Sequence, residues 1–287
     1  MYSDHDRFKT VQICLATYNG ESYISSFLDS LVNQTFKKFE ILVSDDGATD
    51  NTLSIIDSYK DQLEVAVYLN HSSTPWGPAE NFMGLLKWSS ADYVFLADQD
   101  DVWLSDKISV CLEKIEDSDS DDPNIPKLVF SDYCVVDQHL CVIEKSGLAK
   151  VTSYFSVNKL MQSVEYTNFI PGCTVMVNRN LVDLAINFEC NSHILMHDWW
   201  LVLLGKYHGG LFMYIQEPLV MYRQHQHNVV GASVETNVIK KITKFLKSPS
   251  SKLSQLENQF HMIRAAGYKK SFLSFLIIRC FRAAIYE

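Results

Sequence analysis

The chain has 287 residues, 47% of them hydrophobic and 21% charged, which suits one large domain with a sizeable buried core. Its net charge of −9 is uneven: residues 238–287 carry ten Lys/Arg against two Glu, a net +8, and the remainder is net −17. The acidic body excludes general nucleic-acid binding, while the basic end points to a local anionic partner such as a lipid headgroup surface.

In chain order, the polar start MYSDHDRFKT has no apolar signal region. Val11 to Ala16 then reads as a buried strand. Ile24, Phe27, Leu28, Leu31 and Val32 follow at helical spacing and form one helix face. Phe39 to Val43 is a second strand, ending in SDDGATDNT, and Leu53, Ile56 and Tyr59 mark the helix behind it. Val65 to Leu69 is a third strand. Pro78 sits where a first helical turn accepts proline. Tyr93 to Ala97 is a fourth strand, ending in DQDD. Ser105 is expected to cap the helix of Ile108, Cys111, Leu112 and Ile115. Later strands are expected at 128–131, 174–177 and 211–215, with a helix at His197 to Tyr207. A basic helical tail begins near Thr236 and is broken by Pro249.

Alternation of this kind predicts an α/β fold with a mostly parallel sheet and helices on both faces. Ligands of such sheets sit at the carboxyl ends of the strands, where both acidic clusters fall. Seven scattered cysteines, an odd number with no CxxC pair, fit reduced thiols in a cytosolic compartment. The most apolar stretch, 272–278, is far shorter than the ~20 residues needed to span a bilayer.

Asp98, Asp100 and Asp101 lie within four residues at the end of the apolar strand YVFLA. Carboxylates so close repel unless a cation sits among them, and Mg2+ or Mn2+ takes carboxylate and phosphate oxygens together. A solvated acidic turn is the competing reading. Asp45 and Asp46 form the second cluster. A carboxylate here can accept a hydrogen bond from a uracil or thymine N–H or a ribose hydroxyl. The bland reading of DDGATDN is a turn, with Gly47 for the bend and Asp50 as helix cap, and both readings hold together because that turn leaves Asp45 free. Trp103 and Trp199 are candidates for stacking on an acceptor sugar, with the core as the alternative.

The segments ATYNGESYISSFLDSLVNQTFKKFEILVSDDGATDNT and ADQDDVWLSDKI resemble the nucleotide-binding half and metal motif of family 2 glycosyltransferases, which have the GT-A fold. PGCTVMVNR, MHDWW and YRQHQHNVVGA resemble later blocks of the family's bacterial rhamnosyltransferase-like branch, which builds O-antigen and capsule repeats. The resemblance runs from about Val11 to Gly231. It implies a GT-A domain over 1–235, with a nucleotide-sugar half (about 1–130) and an acceptor half (131–235), followed by the 236–287 tail. It implies that Thr17 and Tyr18 line the base, Asp45 binds it with Asp46 nearby, Asp98 touches the ribose, and Asp100 and Asp101 hold Mn2+ or Mg2+. Asp198 aligns with the catalytic base of inverting members. An Arg-x-His segment that folds over the diphosphate implies Arg223 as a phosphate contact and His225 as a further metal or phosphate ligand.

The expected reaction moves one sugar from a UDP- or dTDP-linked donor to a polyprenyl-diphosphate-linked saccharide. The expected place is the cytoplasmic side, peripheral at the inner membrane. Lys240, Lys241, Lys244 and Lys247, and a second group of Lys269, Lys270, Arg279 and Arg282 around 272–278, read as an interfacial element or as a cap packed on the domain. A processive synthase would carry a Gln-x-x-Arg-Trp motif and membrane-spanning helices. A nucleotidyltransferase would need a glycine-rich loop where TYNGES stands. A non-catalytic carbohydrate- or nucleotide-binding module would have no use for DQDD or Asp198.

Overall fold

The computed structural model describes residues 9–69, 75–118, 122, 124–152, 157–188, 194–225 and 249–286. Four apolar runs become parallel strands, β1 (Val11–Thr17), β2 (Glu40–Asp45), β3 (Val65–Leu69) and β4 (Tyr93–Asp98). They are linked by α1 (Ile24–Val32), α2 (Thr52–Asp57) and α3 (Pro78–Trp88). The later strands are β5 (Val102–Trp103), β6 (Lys127–Val136), β7 (Val142–Glu144), β8 (Val175–Asn178) and β9 (Leu211–Arg223). They complete a mixed sheet in the order β3-β2-β1-β4-β8-β6-β9-β5, with β7 paired to β6.

Alternation within the apolar runs sends side chains to two cores. Cys14, Val94 and Leu96 enter one face, under α3, α7 (Arg179–Asn187) and α8 (His197–Tyr207). Ile13, Leu15, Phe95 and Ala97 enter the other, under α1, α2 and α4 (Lys107–Glu116). Short helices α5 (Ala149–Thr152) and α6 (Val157–Met161) and a 3-10 turn at Gly172–Thr174 lie between β7 and β8.

Three local expectations change. Ser105 does not cap α4. The helix starts after Asp106 without a side-chain cap, and the amide of Ile108 is satisfied by Gln34 Oε1 at 3.2 Å from across the sheet edge. Asn51 precedes α2, while Asp50 takes the Thr52 and Glu21 amides on its two oxygens, each at 3.0 Å, so it joins two loops. The described tail is α9 (Pro249–Ala266) and α10 (Phe272–Tyr286), so Pro249 opens a helix, and the break falls at Gly267, whose φ of +128° suits glycine.

These terminal helices belong to the domain core. Phe260, Met262, Ile263, Ala266 and Phe275 are buried in the same cluster as α8, and Arg279 donates to the Tyr166 carbonyl and Gln259 Oε1. Each large side chain there contributes about 1.5–3 kcal/mol, so the segment packs as a cap and its removal would open the core. Lys240, Lys241, Lys244 and Lys247 lie outside the described residues.

Candidate active site

Strand order reverses between β1 and β4, and the crevice of an open sheet lies outside the carboxyl ends at that point. Thr17 ends β1, Asp45 ends β2 and Asp98 ends β4, in paired register. The two acidic clusters of the sequence therefore meet at one edge, beside Thr17.

The first loop is rigidly built. Gln99 clasps the backbone of Tyr18, accepting its N–H at 3.1 Å and donating to its carbonyl at 2.8 Å. Gly20 leaves room for that clasp, since a Cβ there would lie 2.1 Å from Gln99 Oε1. Asn19, at φ +46°, accepts the Thr49 amide at 2.8 Å, and Glu21 accepts the amide and side chain of Asn51. Gln99, Asn19 and Glu21 lie within the DQDD and TYNGES segments, but nothing in those segments marks them as the loop's hydrogen-bonding partners. The Tyr18 ring is left 47% exposed at the rim, where a base could stack.

The Asp45 carboxylate is engaged rather than free. Oδ2 accepts the Thr17 hydroxyl at 2.8 Å, and Oδ1 accepts the Gly47 and Ala48 amides at 3.1 and 2.8 Å. Gly47, at φ +89°, makes the expected bend. Asp46 takes the Trp76 and Gly77 amides at 2.7 and 2.8 Å. Both aspartates are buried and organise the loops that wall the crevice.

The DQDD segment divides in two. Asp100 Oδ2 lies 2.7 Å from His225 Nε2, and the His225 ring stacks on Tyr23 at 4.6 Å. Asp101 is fully buried and groups with Asp98 and the thiol of Cys173, with one ligand atom from each within 4.8 Å of the others. Asp101 Oδ1 accepts the Arg223 amide at 3.1 Å, and Oδ2 is buried without a nitrogen or oxygen donor among the described residues. Burial and the neighbouring Asp100 and Asp198 push Asp98 up to about 7. Lys107, fully buried, donates to the Cys173 carbonyl at 2.5 Å and lies 4.2 Å over the Trp103 ring. Burial lowers its pKa. Cys173 and Lys107 lie within the PGCTVMVNR and ADQDDVWLSDKI segments, but a lone thiol and a single lysine carry no local sign of a site role.

Arg223 is tied down by its neighbours. It is 4% exposed, and its guanidinium donates to the carbonyls of Asp100 at 2.7 Å and Gln138 at 2.9 Å. It thereby fixes the acidic strand end from β9. Trp103 is corrected outright. It is 2% exposed and packs against Phe27 and Phe95, so no sugar can stack on it. The small space between α1 and β4 selects the core role.

Asp198 lies in the first turn of α8, is 5% exposed, and accepts the Gly172 amide on Oδ2 at 3.1 Å and the Trp199 amide on Oδ1 at 2.6 Å. Burial raises its pKa to about 6. Its charge acts on Asp98. His197, stacked on Phe82 at 3.8 Å, has no partner for either ring nitrogen among the described residues, and burial lowers its pKa to about 3. Trp199 is half-buried, and its indole N–H donates to the Val164 carbonyl at 2.6 Å. His227 lies outside the described residues.

Residues 12–132 match the family described as glycosyl transferase family 2. The dTDP-rhamnosyl transferase RfbG of Shigella flexneri is 28% identical over 233 residues, which are 77% of this chain and 74% of that protein. An Escherichia coli UDP-Glc:α-D-GlcNAc-diphosphoundecaprenol β-1,3-glucosyltransferase, WfaP, is 35% identical over 99 residues, 34% of this chain and 38% of that protein. Among solved structures, residues 1–349 of Staphylococcus aureus TarS in complex with UDP-GlcNAc align at a TM-score of 0.58 and 19% identity. That alignment covers 83% of this chain and 64% of the TarS chain, and carries the fold. With the acidic crevice at the β1/β4 reversal, residues 12–132 form a glycosyl transferase family 2 segment, set in a fold shared with TarS.

Proposed function

We propose that the chain is an inverting, metal-dependent transferase. It moves a single sugar from a UDP- or dTDP-linked donor to a saccharide on a polyprenyl diphosphate, in bacterial O-antigen or capsule synthesis. One observation carries this reading: the turn Gly172–Thr174 links the two groups, its Gly172 amide bonded to the Asp198 carboxylate and its Cys173 thiol clustered with Asp98 and Asp101.

In this reading the nucleotide lies across the β1/β4 crevice, with the base beside Thr17 and the Tyr18 ring, over the loops that Asp45 and Asp46 hold. Asp98 faces the ribose. The donor set fits a cation, since Asp101 Oδ2 is buried without a nitrogen or oxygen donor among the described residues, in a nest of carboxylates. Asp100, Asp101 and His225 would hold Mn2+ or Mg2+, whose charge would offset that on the departing diphosphate. Asp198 accepts the acceptor hydroxyl proton as that oxygen bonds to the anomeric carbon and the bond from that carbon to the diphosphate breaks. A single displacement inverts the anomeric centre. A carboxyl that titrates near 6 is half-matched to neutral pH for this task. Trp199, beside Asp198, would border the acceptor sugar.

Lys269 and Lys270 are exposed next to Leu273 and Ile277, which are 67% and 48% exposed, and this cluster suits a peripheral site on an anionic inner-membrane face. No helix among the described residues is long and apolar enough to cross a membrane.

The test is a panel of UDP- and dTDP-sugars with Mn2+ or Mg2+ and a GlcNAc-diphosphate-lipid analogue, for the wild type and Asp198→Asn. The reading expects metal-dependent transfer by the wild type. Asp198→Asn should lose ~10²–10⁴-fold in turnover while still binding the donor. Near-normal turnover in that variant, or transfer unaffected by chelation, would overturn it.

A further inference from the structure

Beside the proposed Asp100–His225 position lies a second group with different chemistry. Asp98, Asp101 and Cys173 offer two carboxylate oxygens and one sulfur, mutually within 4.8 Å. Mg2+ and Mn2+ favour oxygen ligands, whereas a thiolate with two further ligands is the preference of Zn2+ and its softer relatives. Two features besides the cluster point to a ligand. Asp101 is fully buried, its Oδ2 has no nitrogen or oxygen donor among the described residues, and the Cys173 thiol is the group set against its carboxylate. The Cys173 backbone is also fixed, because its carbonyl accepts the buried Lys107 ammonium at 2.5 Å, while its neighbour Gly172 is held by Asp198. Two carboxylates and a thiolate against one ammonium leave two negative charges, which one divalent cation neutralises.

We propose that Asp98, Asp101 and Cys173 form a soft-cation site for Zn2+, which competes through the shared Asp101 with the hard ion that supports transfer. The S–H proton leaves to solvent as the sulfur–metal bond forms, and the fourth zinc position stays open to water or a donor oxygen. The site would then be a brake: a rise in free Zn2+ displaces Mn2+ or Mg2+ and lowers turnover. The brake rests on the hard-ion reading above, but the site does not.

Co2+ serves as the probe because a thiolate bound to it gives a charge-transfer absorption that oxygen ligands do not. The full chain should show that band, saturating at one equivalent. Cys173→Ser should lose it, and Cys141→Ser, which removes an exposed thiol, should keep it. Zn2+ inhibition of Mn2+-supported turnover should shift to higher Zn2+ in Cys173→Ser. If the serine variant does not fold, Asp98→Asn combined with Asp101→Asn keeps the thiol and must still lose the band. A band that survives either variant, or no band in the folded wild type, overturns the site. Mn2+-dependent turnover without a Co2+ band sinks the soft site alone. A Co2+ band with metal-independent turnover sinks the hard-ion mechanism alone.

Discussion

Gly172 donates its backbone N–H to Asp198 Oδ2 at 3.1 Å, and the very next residue, Cys173, reaches the Asp98–Asp101 nest. One short turn thus spaces the proposed base from the proposed cation. A glycine is required there for lack of room: its φ is not in the left-handed region, but an added Cβ would lie 2.9 Å from His197 Nε2 and 3.5 Å from Asp198 Cβ.

Gly172→Ala should therefore push on a ring that cannot yield, since His197 is stacked on Phe82. Overpacking of this kind costs about 1–3 kcal/mol and should also lower turnover by displacing Asp198. Adding His197→Ala should recover part of the loss. Urea unfolding of both single variants and the double variant measures the coupling. Strict additivity would mean that this contact is not the cause.

Asp198 is raised to about 6 by burial, so it is charged and competent as a base above that pH and neutral below it. Turnover at saturating donor and acceptor should fall about tenfold per pH unit below 6 and level off above it. The acid limb should vanish from the residual activity of Asp198→Asn. If the same limb persists there, another group sets it.

Stability should run the opposite way. In the metal-free chain Asp98 and Asp198 titrate near 7 and 6, above the ordinary 3.8, so the folded state binds protons that the unfolded state releases. Their contribution makes the fold more stable as pH falls from about 7 towards 4, and least stable above 7. Urea midpoints across that range should show the slope, and Asp98→Asn should flatten its upper part. Buried neutral His197 acts with the opposite sign below 6.5, so the decisive quantity is the difference between wild type and Asp98→Asn: a difference that stays constant from pH 5 to 8 would contradict the Asp98 environment.

The fold was legible because its signals are local. Four apolar runs with helical spacing between them sufficed for β1 to β4, and His197 to Tyr207 is the helix found. The two-residue β5, the three-residue β7 and the extension of β9 to Arg223 were not, since each is stabilised by a partner strand far away in sequence. At the site, the DQDD carboxylates stood out as like charges in sequence, but how they divide did not. Asp101 joins Cys173 from 72 residues later, and Asp100 joins His225 from 125 later, so tertiary contact decides the grouping. Asp45 was misjudged as free because a strand-end carboxylate gives no sequence sign of whether nearby amides have claimed it.

Trp103 tests the core assignment. Trp103→Ala should cost about 3–5 kcal/mol, as expected for a tryptophan lost from between Phe27, Phe95 and the Lys107 ammonium. Trp103→Phe keeps most of the packing and should leave acceptor KM unchanged. A rise in acceptor KM at constant stability would restore the stacking role.

The membrane face can be separated from the core because α10 carries both. Phe275 is fully buried, whereas Leu273 and Ile277, two residues to either side of it, point outward at 67% and 48% exposure. Replacing Leu273 and Ile277 with Asp should change stability little, because neither side chain fills the core. Vesicles of anionic lipid should nevertheless bind the double variant more weakly, since its two carboxylates would have to approach a negative surface in place of two inserted apolar groups. Lys269→Glu with Lys270→Glu should weaken binding further at low salt and show less salt dependence than the wild type. Sedimentation with anionic and neutral vesicles measures both effects. Unchanged binding by both double variants would place the membrane contact elsewhere on the chain.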